Sequence, residues 1–523
     1  MCPAPRSRAS ARLAWLRQSA AAGLLTLPLL RGAPEARAQT PVPVGPEFRV
    51  NTSTAGNQRN PAIAVAPDGD FVIAWDSRGQ DGSGTGIYAQ RYTAEGIPAG
   101  PEFLVNTSTL NDQVVPSVGI DEDGDFVIAW ASYLQDGDGY GIYAQRYAAD
   151  GLPQGSEFQV NIATENVQYG PSVEMDAEGD FVVAWDSYSE AGSYFDVFLR
   201  RYRADGEPLG PEVQANRFIA GTQSLAALGM NSEGDFVVAW SSFNQDRSGF
   251  GIMAKQYAAD GTSPGPPFRV NTFSTGDQRH PAVAVDAGGA FVVAWQSDGR
   301  DGSGDGIAAQ RYRPDGTPDG AEFQVNTVTE NDQLLPEVGV DGDGDFVVVW
   351  RSYGQDGDDF GIVARRYRAD GTPDGGEFQV NTFTTGVQYL TTLGVEADGD
   401  FVVAWSSRDQ DGDGDGIYAQ RFAASPVGTE GGTGLPHALS IRSVHPNPTR
   451  DTATLQYALP ATSSVLVTVT DVLGRTVLTH AEGTQPAGLH VARVALGGLP
   501  TGTYVARVEA GGAVATQRIT VVR

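Results

Sequence analysis

The stretch Gly399–Phe422 reads GDFVVAWSSRDQDGDGDGIYAQRF and contains the features that decide the fold. An apolar run ends in Trp405, an acidic glycine-rich loop follows, and a second strand-like run leads to Phe422. Runs of this length, rich in β-branched and aromatic residues and bounded by glycine and aspartate, are typical of strands. The stretch therefore predicts two antiparallel strands joined by a loop.

The same unit recurs along the chain with a period of 55 residues. Its tryptophans are Trp75, Trp130, Trp185, Trp240, Trp295, Trp350 and Trp405. A glutamine keeps the same step at Gln58, Gln113, Gln168, Gln223, Gln278, Gln333 and Gln388. Self-similarity at a constant period is the signature of a repeat architecture. Every repeat predicts four strands, which in the first copy are the segments PAIAVAP, DFVIAWDS, GIYAQRYTA and EFLVNT.

The second strand of each repeat is apolar on both faces. In the first copy Phe71, Ile73 and Trp75 alternate with Val72 and Ala74. A strand with two apolar faces must be covered on both sides. A four-stranded blade packed between two neighbouring blades meets that requirement.

The two ends of the repeat array predict a closed ring. The first and last copies are as regular as the inner ones, whereas an open array needs atypical capping repeats. A fourth-strand segment, Glu47–Asn51, precedes the first repeat, and the last repeat has none of its own. We therefore predict an all-β fold with a seven-bladed β-propeller at residues 45–422, closed by this N-terminal strand. A string of small β-sandwiches is the alternative.

The N-terminus has the three parts of a secretory signal peptide. Residues 1–38 contain several arginines, then the apolar run Ala20–Leu30, then Ala36-Arg37-Ala38 as a cleavage site. A disordered N-terminus is the alternative. The apolar run is too short to cross a bilayer and no other run approaches about 18 apolar residues, so we expect no transmembrane segment. The single cysteine, Cys2, would be removed, which leaves no disulfide.

Charge is distributed unevenly along the chain. The net charge is −29; residues 1–38 have +5 and residues 437–523 have +3, which leaves −37 for residues 39–436. An acidic surface repels nucleic acid and anionic lipid and attracts cations. We therefore expect no nucleic-acid partner.

The long loops of the propeller are expected to project from one face, where binding sites on rigid scaffolds usually lie. Alternating aspartates on a turning backbone suit calcium. The candidate ligands are Asp411, Asp413 and Asp415 in the last repeat and Asp301 and Asp305 in the fifth. Two observations favour ordinary turn chemistry instead: the twelfth loop position is Phe422 rather than a glutamate, and aspartate and glycine are common turn residues.

Aromatic residues mark one arc of the same face. At two equivalent loop positions, repeats two, three and four have Tyr133 and Tyr140, Tyr188 and Phe195, and Phe243 and Phe250. Repeat six has Tyr353 and Phe360, whereas repeats one, five and seven have charged or polar residues there. Exposed aromatics stack on sugar rings or anchor a protein partner. The alternative is that they pack against neighbouring loops.

Catalytic motifs are scarce in the repeats. They contain one histidine, His280, and no cysteine nucleophile, nucleophile elbow, phosphate loop or zinc-spaced cluster. We therefore assign no catalytic residue and regard an enzyme as the less favoured interpretation. Paired carboxylates could still hydrolyse glycosides. The repeated glutamine is predicted to be structural, because a group repeated seven times does not mark a single active centre.

The composition changes after the repeats. Residues 423–436, AASPVGTEGGTGLP, predict a flexible linker. Residues 437–523 alternate apolar and polar residues over short runs, which predicts a small Ig-like β-sandwich. Its motif residues are Pro446, Asn447, Pro448, Asp471, Gly474, Arg475, Gly502 and Tyr504.

With these motifs in this order, residues 437–523 resemble the type A C-terminal sorting domain of the type IX secretion system. The resemblance implies export, passage through the outer membrane by the secretion machinery, and removal of this domain with release or anchoring at the cell surface. The repeats resemble bacterial Asp/Gly-rich surface repeat proteins. Together these features favour a cell-surface or released propeller that binds a glycan or a protein, with calcium as a candidate cofactor. An extracellular polysaccharide hydrolase or lyase and a structural surface protein are the alternatives.

Overall fold

The computed structural model describes residues 41–189, 194–424, 439–445, 449, 452–459, 461–471, 475–486, 488–511 and 513–521. The predicted signal peptide, most of the predicted linker, and Pro446, Asn447, Pro448 and Gly474 lie outside these residues. All regular elements within the described part are β-strands. The described residues include no helix long and apolar enough to span a bilayer.

The repeats form seven four-stranded sheets, here numbered 1 to 7 along the chain. Their first strands are β2 (Gln58–Val65), β6 (Gln113–Ile120), β10 (Gln168–Met175), β14 (Gln223–Met230), β18 (Gln278–Val285), β22 (Gln333–Val340) and β26 (Gln388–Val395). The second strands are β3 (Phe71–Arg78), β7 (Phe126–Tyr133), β11 (Phe181–Ser189), β15 (Phe236–Phe243), β19 (Phe291–Asp298), β23 (Phe346–Tyr353) and β27 (Phe401–Arg408). The third strands are β4 (Thr85–Tyr92), β8 (Tyr140–Tyr147), β12 (Tyr194–Tyr202), β16 (Phe250–Tyr257), β20 (Asp305–Tyr312), β24 (Phe360–Tyr367) and β28 (Asp415–Ala423).

The fourth strands are shorter than predicted. In sheets 1 to 6 they are β5 (Phe103–Leu104), β9 (Phe158–Gln159), β13 (Val213–Gln214), β17 (Phe268–Arg269), β21 (Phe323–Gln324) and β25 (Phe378–Gln379). Beyond these residues the Val105 N–H still donates to the Ile87 carbonyl at 2.8 Å, but an asparagine side chain replaces the return bond of the ladder. Asn106 Oδ1 accepts the Ile87 N–H at 2.6 Å. Glu102, at the start of the same segment, accepts the Thr52 N–H at 2.7 Å and so ties its strand to the preceding repeat.

Sheet 7 takes its fourth strand from the N-terminus. The strand β1 (Val42–Arg49) pairs antiparallel with β28, with a register shift between Val44 and Phe48. Glu47 accepts the Thr382 N–H at 2.6 Å, which is the contact that Glu102 makes in sheet 1. The segment Glu47–Asn51 therefore occupies the position that the sequence predicted for it.

Each sheet packs on the next through the two apolar faces of its second strand. Phe71, Ile73 and Trp75 of sheet 1 pack with Val402 and Ala404 of sheet 7. The opposite face, represented by Val72 and Ala74, packs against sheet 2. All seven tryptophans are buried, as the repeats require. The first strands β26 and β2 also pack together, so contacts join the last sheet to the first. Repeated four-stranded sheets with these contacts are consistent with a β-propeller.

The C-terminal residues form two further sheets. The strands are β29 (Ser440–His445), β30 (Thr452–Leu459), β31 (Ser463–Asp471), β32 (Thr476–Gln485), β33 (Gly488–Ala495), β34 (Gly502–Ala510) and β35 (Ala513–Val521). Three strands are ordered β29-β30-β33 and four are ordered β32-β31-β34-β35. Leu455 and Val494 from the first sheet share one core with Val467, Val508 and Ile519 from the second. The two sheets therefore bury their apolar faces against each other.

Candidate functional site

Each predicted aromatic pair is brought together at the base of a long loop. Tyr133 and Tyr140 lie opposite each other where the second and third strands of sheet 2 end, because those strands are in antiparallel register. Their ring centroids are 5.0 Å apart. The same contact recurs for Tyr188 and Phe195 at 5.3 Å, for Phe243 and Phe250 at 5.2 Å, and for Tyr353 and Phe360 at 5.2 Å.

A third ring, which the sequence interpretation missed, extends the first pair. Tyr169 of sheet 3 lies 5.3 Å from Tyr140, centroid to centroid, in an edge-on contact. Tyr133, Tyr140 and Tyr169 therefore form a continuous row that crosses from one sheet to the next. The signal in the sequence was the position after the repeated glutamine, where Tyr169 and Tyr389 stand out among smaller or charged residues.

The aromatic rows are only partly covered. The exposed fractions are 38% for Tyr133, 37% for Tyr169 and 41% for Phe243. Large aromatic side chains usually bury most of their area in a soluble protein. The neighbouring loops therefore leave ring surface open to solvent at this face.

The row ends at a cavity of about 470 Å³, which is surrounded by the first strands of all seven sheets. Tyr169 is part of its lining, together with prolines and aliphatic side chains such as Pro171 and Leu390. Its volume lies within the range of about 300–1,000 Å³ found for small-molecule sites. Besides Tyr169, the ionisable side chains that line it are Glu174, Asp186, His280 and Glu337.

The rim of this cavity is formed by a bulge in every first strand. In β2 the ladder register shifts between Arg59 and Ala62, and Asn60 takes a left-handed conformation. The equivalent residues of the other repeats are also left-handed, with φ from 51° to 64°: Val115, Gly170, Leu225, His280, Leu335 and Leu390. Left-handed Val115 is unusual for a β-branched residue. Because all seven repeats share the conformation, we interpret it as part of the scaffold.

Buried aspartates accept the hydrogen bonds that two of these bulges offer. Asp186 follows Trp185 on β11, and its carboxylate accepts the N–H groups of Leu225 at 2.7 Å and Ala226 at 3.3 Å in sheet 4. Asp76, in the equivalent position of sheet 1, accepts the N–H of Val115 in sheet 2 at 3.3 Å. Burial raises the pKa of Asp186 to about 7 and that of Asp76 to about 6, although their hydrogen bonds oppose the shift.

Arginines stand next to the aromatic rings in the later repeats. The Arg279 guanidinium lies 4.1 Å from the centroid of Phe250 and forms an ion pair of 2.6 Å with Asp277. The Arg351 guanidinium lies 4.8 Å from the centroid of Phe360. The pKa of His280 is lowered to about 4 by burial and by the positive charges of both arginines, so it is neutral near pH 7.

The predicted calcium ligands of the last repeat are engaged in other contacts. Asp415 is buried and accepts a hydrogen bond from Arg59 Nε at 2.6 Å. Asp413 accepts the Gly56 N–H at 3.2 Å, and Asp411 accepts the Asn51 amide at 3.3 Å. Asp413 and Asp415 therefore tie the last repeat to the first, whereas Asp411 bonds the N-terminal segment that completes sheet 7 itself.

The fifth repeat shows the same turn chemistry. Asp301 accepts the Ser303 N–H at 3.1 Å and the Asn326 amide at 2.8 Å. Asp305 is half-buried, and burial raises its pKa. Within the described residues, carboxylate oxygens of three side chains converge to within 4.8 Å at Glu396, Asp398 and Asp400, on the opposite face. The predicted calcium ligands are thus not brought together as a group of three.

The repeated glutamine is an internal hydrogen-bonding residue. Gln58 is buried; its oxygen accepts the Asn51 amide at 3.1 Å and its amide donates to the Ala55 carbonyl at 3.0 Å. Equivalent bonds link Gln113 to Asn106 and to Leu110. The prediction of a structural role agrees with these contacts.

The described motif residues of the C-terminal sheets close turns and fill the core. Asp471 accepts the Arg475 N–H at 2.9 Å and pairs with its guanidinium at 2.7 Å, which closes the hairpin between β31 and β32. Gly502 begins β34. The buried Tyr504 donates its hydroxyl to the Pro500 carbonyl at 2.9 Å.

Residues 443–522 match the model of the secretion system C-terminal sorting domain. The match agrees with the resemblance to the type IX sorting domain. The domain engages the secretion machinery and directs the protein to the cell surface or to release. No curated protein matches the sequence.

Several solved structures resemble the chain at low identity. A protein of unknown function from Dyadobacter fermentans is 12% identical with a TM-score of 0.44, covering 72% of this chain and 97% of that one. PorZ, a surface component of the type IX secretion system of Porphyromonas gingivalis, is 15% identical with a TM-score of 0.40, covering 90% and 61%. The β-propeller domain of the Trilobed protease from Pyrococcus furiosus is 10% identical with a TM-score of 0.41, covering 72% and 95%.

Proposed function

Because residues 443–522 are a secretion sorting domain, we propose that the repeats are the exported binding module. In this proposal the seven sheets are the blades of one closed β-propeller, and the C-terminal sheets are an Ig-like sandwich. The propeller binds a glycan on the face that bears the aromatic rows. A closed ring is supported by the cavity that all seven first strands surround.

One observation carries the choice of ligand: the aromatic row Tyr133, Tyr140 and Tyr169. It runs from partly exposed ring surface to the rim of a cavity of ligand size. Flat apolar surface beside polar groups suits sugar rings, which present apolar C–H faces and hydroxyl edges. Rings that are already packed on one another lose little conformational entropy when a ligand binds. A protein ligand with a protruding apolar loop is the second possibility for the same surface.

A glycan array with the full chain tests this proposal. Substituting Tyr133, Tyr140 and Tyr169 by alanine should abolish binding to the glycans that the wild type retains. The double variant Tyr188→Ala and Phe195→Ala is the matched control, because it removes a pair at the same loop positions of the neighbouring sheet. Equal loss of glycan binding in both variants would assign binding to the aromatic pairs of neighbouring repeats together. Unchanged binding in the triple variant would refute the proposal.

An extracellular hydrolase or lyase is the second proposal. The carboxyl groups that line the cavity support it. Glu174 and Glu337 both line it, and burial raises the pKa of each to about 8. A carboxyl group that keeps its proton near neutral pH is suited to act as a general acid. Release of reducing or unsaturated ends from polysaccharides, lost in Glu174→Gln or Glu337→Gln, would support an enzyme over a binding protein.

Calcium stays a prediction. Binding at Asp411, Asp413 and Asp415 would require Asp415 to exchange Arg59 for the metal. If neither glycan, protein nor metal binds, a structural surface protein is the remaining interpretation.

A further inference from the structure

The position after each tryptophan differs in charge between the repeats, although its surroundings are the same. It is Asp76, Ala131, Asp186, Ser241, Gln296, Arg351 and Ser406 in repeats one to seven. In repeat three the Asp186 carboxylate accepts the N–H groups of Leu225 and Ala226. By the 55-residue step, Arg351 of repeat six is the equivalent of Asp186, and Leu390 and Thr391 are the equivalents of Leu225 and Ala226. At this junction a cation takes the place of the acceptor.

The equivalent bulge in β26 of sheet 7 has hydrogen-bond donors that are not part of its ladder with β27. The register between β26 and β27 shifts from Tyr389 to Thr392, so Leu390 and Thr391 are not ladder partners of β27. The Thr391 hydroxyl is buried and has no hydrogen-bond partner among the described residues. Leu390 and Thr391 both line the cavity. A buried hydroxyl without a partner is costly unless a ligand or water satisfies it.

Arg351 is held in place but is not neutralised by an ion pair. Its guanidinium stacks on Phe360, and its Nε is buried and has no hydrogen-bond partner in the described part of the chain. No described carboxylate lies within ion-pair distance of it. The neighbouring arginines differ, because Arg279 pairs with Asp277, and Arg59 and Arg408 pair with Asp415. Among these four arginines, Arg351 is the one without a carboxylate partner.

We propose that Arg351 and Thr391, at the junction of sheets 6 and 7, bind an oxyanion of the ligand, and that the ligand is therefore an acidic glycan. The inference rests on the proposed glycan function. Arginine presents several N–H donors in a planar fork that matches carboxylate and sulfate oxygens. The guanidinium and the hydroxyl together supply donors where Asp186 and Asp76 supply acceptors. The ligand group is a uronate carboxylate or a sulfate ester, which share this chemistry.

The net charge of the repeats opposes such a ligand at long range. Residues 39–436 have a net charge of −37, so a polyanion is repelled until it reaches the rim. Salt screens this repulsion, since the Debye length is about 8 Å at physiological ionic strength. The short-range contact with a partly buried arginine is screened much less. Association should therefore become faster as salt rises toward physiological strength, which is the opposite of ordinary electrostatic steering.

Two probes test the site on the full chain. The first is inorganic sulfate, followed by calorimetry and by the shift in Tm. The second is a set of three polymers: polygalacturonate, its methyl ester, and dextran sulfate. The variants are Arg351→Gln, Arg351→Lys and Thr391→Val. Arg313→Gln is the control, because Arg313 is an exposed arginine that pairs with Asp319 in the turn after β20.

Sulfate should stabilise the wild type and the control, and it should bind at least about tenfold more weakly to Arg351→Gln and Thr391→Val. Arg351→Lys should keep part of the affinity, since it retains the charge without the fork. Preference for polygalacturonate over its methyl ester identifies the oxyanion as a carboxylate. Preference for dextran sulfate over the methyl ester identifies it as a sulfate ester. Sulfate binding without polymer binding would keep the oxyanion site and refute the acidic-glycan ligand. Equal binding of ester and acid, with no effect of Arg351→Gln, would overturn the inference and leave the glycan function standing.

Discussion

The junction of sheets 2 and 3 and the junction of sheets 6 and 7 have aromatic rings at the same three positions. The first has Tyr133, Tyr140 and Tyr169, and the second has Tyr353, Phe360 and Tyr389. In the first junction the second and third rings touch, with centroids 5.3 Å apart. In the second, arginines stack on those rings: Arg351 on Phe360 and Arg408 on Tyr389.

Two side chains differ between these junctions: Arg408 stands where sheet 3 has Tyr188, and the residue after the tryptophan also changes. The position after the tryptophan is the buried Ala131 in sheet 2 and Arg351 in sheet 6. A methyl group leaves room for the two rings to meet, whereas a guanidinium occupies the space beside the ring and brings a positive charge. A symmetric scaffold can thus present a neutral aromatic row at one junction and a cationic site at another without altering its core.

The largest effect is expected from removing a buried tryptophan at each junction. It tests whether the apolar cores of the two junctions are equivalent. Trp185→Ala and Trp405→Ala should each lower the free energy of unfolding by about 3–5 kcal/mol, because each removes a fully buried indole. Trp185 packs on Val127 and Ala129 of sheet 2, and Trp405 packs on Val347 and Val349 of sheet 6. Urea denaturation should give similar losses for both. A loss confined to one variant would mean that the junctions differ in their cores as well as at the rim.

The next largest effect is expected from substituting the residue after the tryptophan, which is Ala131 at one junction and Arg351 at the other. Ala131→Arg should separate Tyr140 from Tyr169, weaken binding of neutral glycans about two- to tenfold, and destabilise the fold by about 1–3 kcal/mol through overpacking. Arg351→Ala should abolish any preference for acidic glycans and leave the fold intact. Glycan binding and urea denaturation measure both. Ala131→Ser, which is nearly isosteric, is the control; an equal effect of this variant would contradict the explanation by ring separation.

A smaller effect concerns the pH dependence of stability at Asp186, which occupies the position after the tryptophan in sheet 3. Burial raises the pKa of Asp186 to about 7, well above its value of about 3.9 in an unfolded chain. Between these values the folded state binds more protons than the unfolded state, so stability falls as pH rises from about 4 to 7. Asp186→Asn should remove this loss. Comparing the Tm of the variant and the wild type at pH 4.5 and 8 checks it, with Ser241→Ala as control; parallel pH profiles would contradict the shift.

The smallest effect is expected from calcium at the junction of sheets 7 and 1. Because Asp415 is paired with Arg59, calcium should bind the wild type only weakly, in the range of about 10⁻⁴–10⁻³ M. Arg59→Gln should strengthen binding, because it removes the closer of the two arginines that pair with Asp415, and Asp411→Ala should abolish binding. Calorimetry with both variants measures this. Tight binding that Arg59→Gln does not change would place the ion elsewhere.

The sequence predicted most of the scaffold. The 55-residue period and the two apolar faces of strands such as Phe71–Arg78 predicted repeated four-stranded sheets, and the described strands agree. The segment Glu47–Asn51 was predicted to complete the last sheet, and β1 pairs there with β28. The fourth strands were predicted too long, because Asn106 takes over a ladder contact with its side chain. The sorting domain was recognised from its motifs, and residues 443–522 match the family.

The candidate site was predicted only in part. The pairs such as Tyr133 and Tyr140 were found because they flank a hairpin loop, so nearness in sequence implies nearness in space. Tyr169 was missed because its ring partner, Tyr140, lies in the neighbouring sheet. Arg351 and Thr391 were missed because they belong to different sheets, Arg351 to β23 of sheet 6 and Thr391 to β26 of sheet 7. The role of Asp415 was also hidden, since its partner Arg59 is 356 residues away.

By itself the sequence determined the repeat, the strands, the buried tryptophans and the export route, because periodicity, alternation and short motifs depend on neighbours along the chain. Only the tertiary structure decided which side chains meet between sheets. It joined Tyr140 to Tyr169 and Arg59 to Asp415, since those contacts depend on how one repeat packs on the next. The side chains that distinguish one repeat from another therefore lie at the junctions between the sheets, where the proposed ligand contacts are placed.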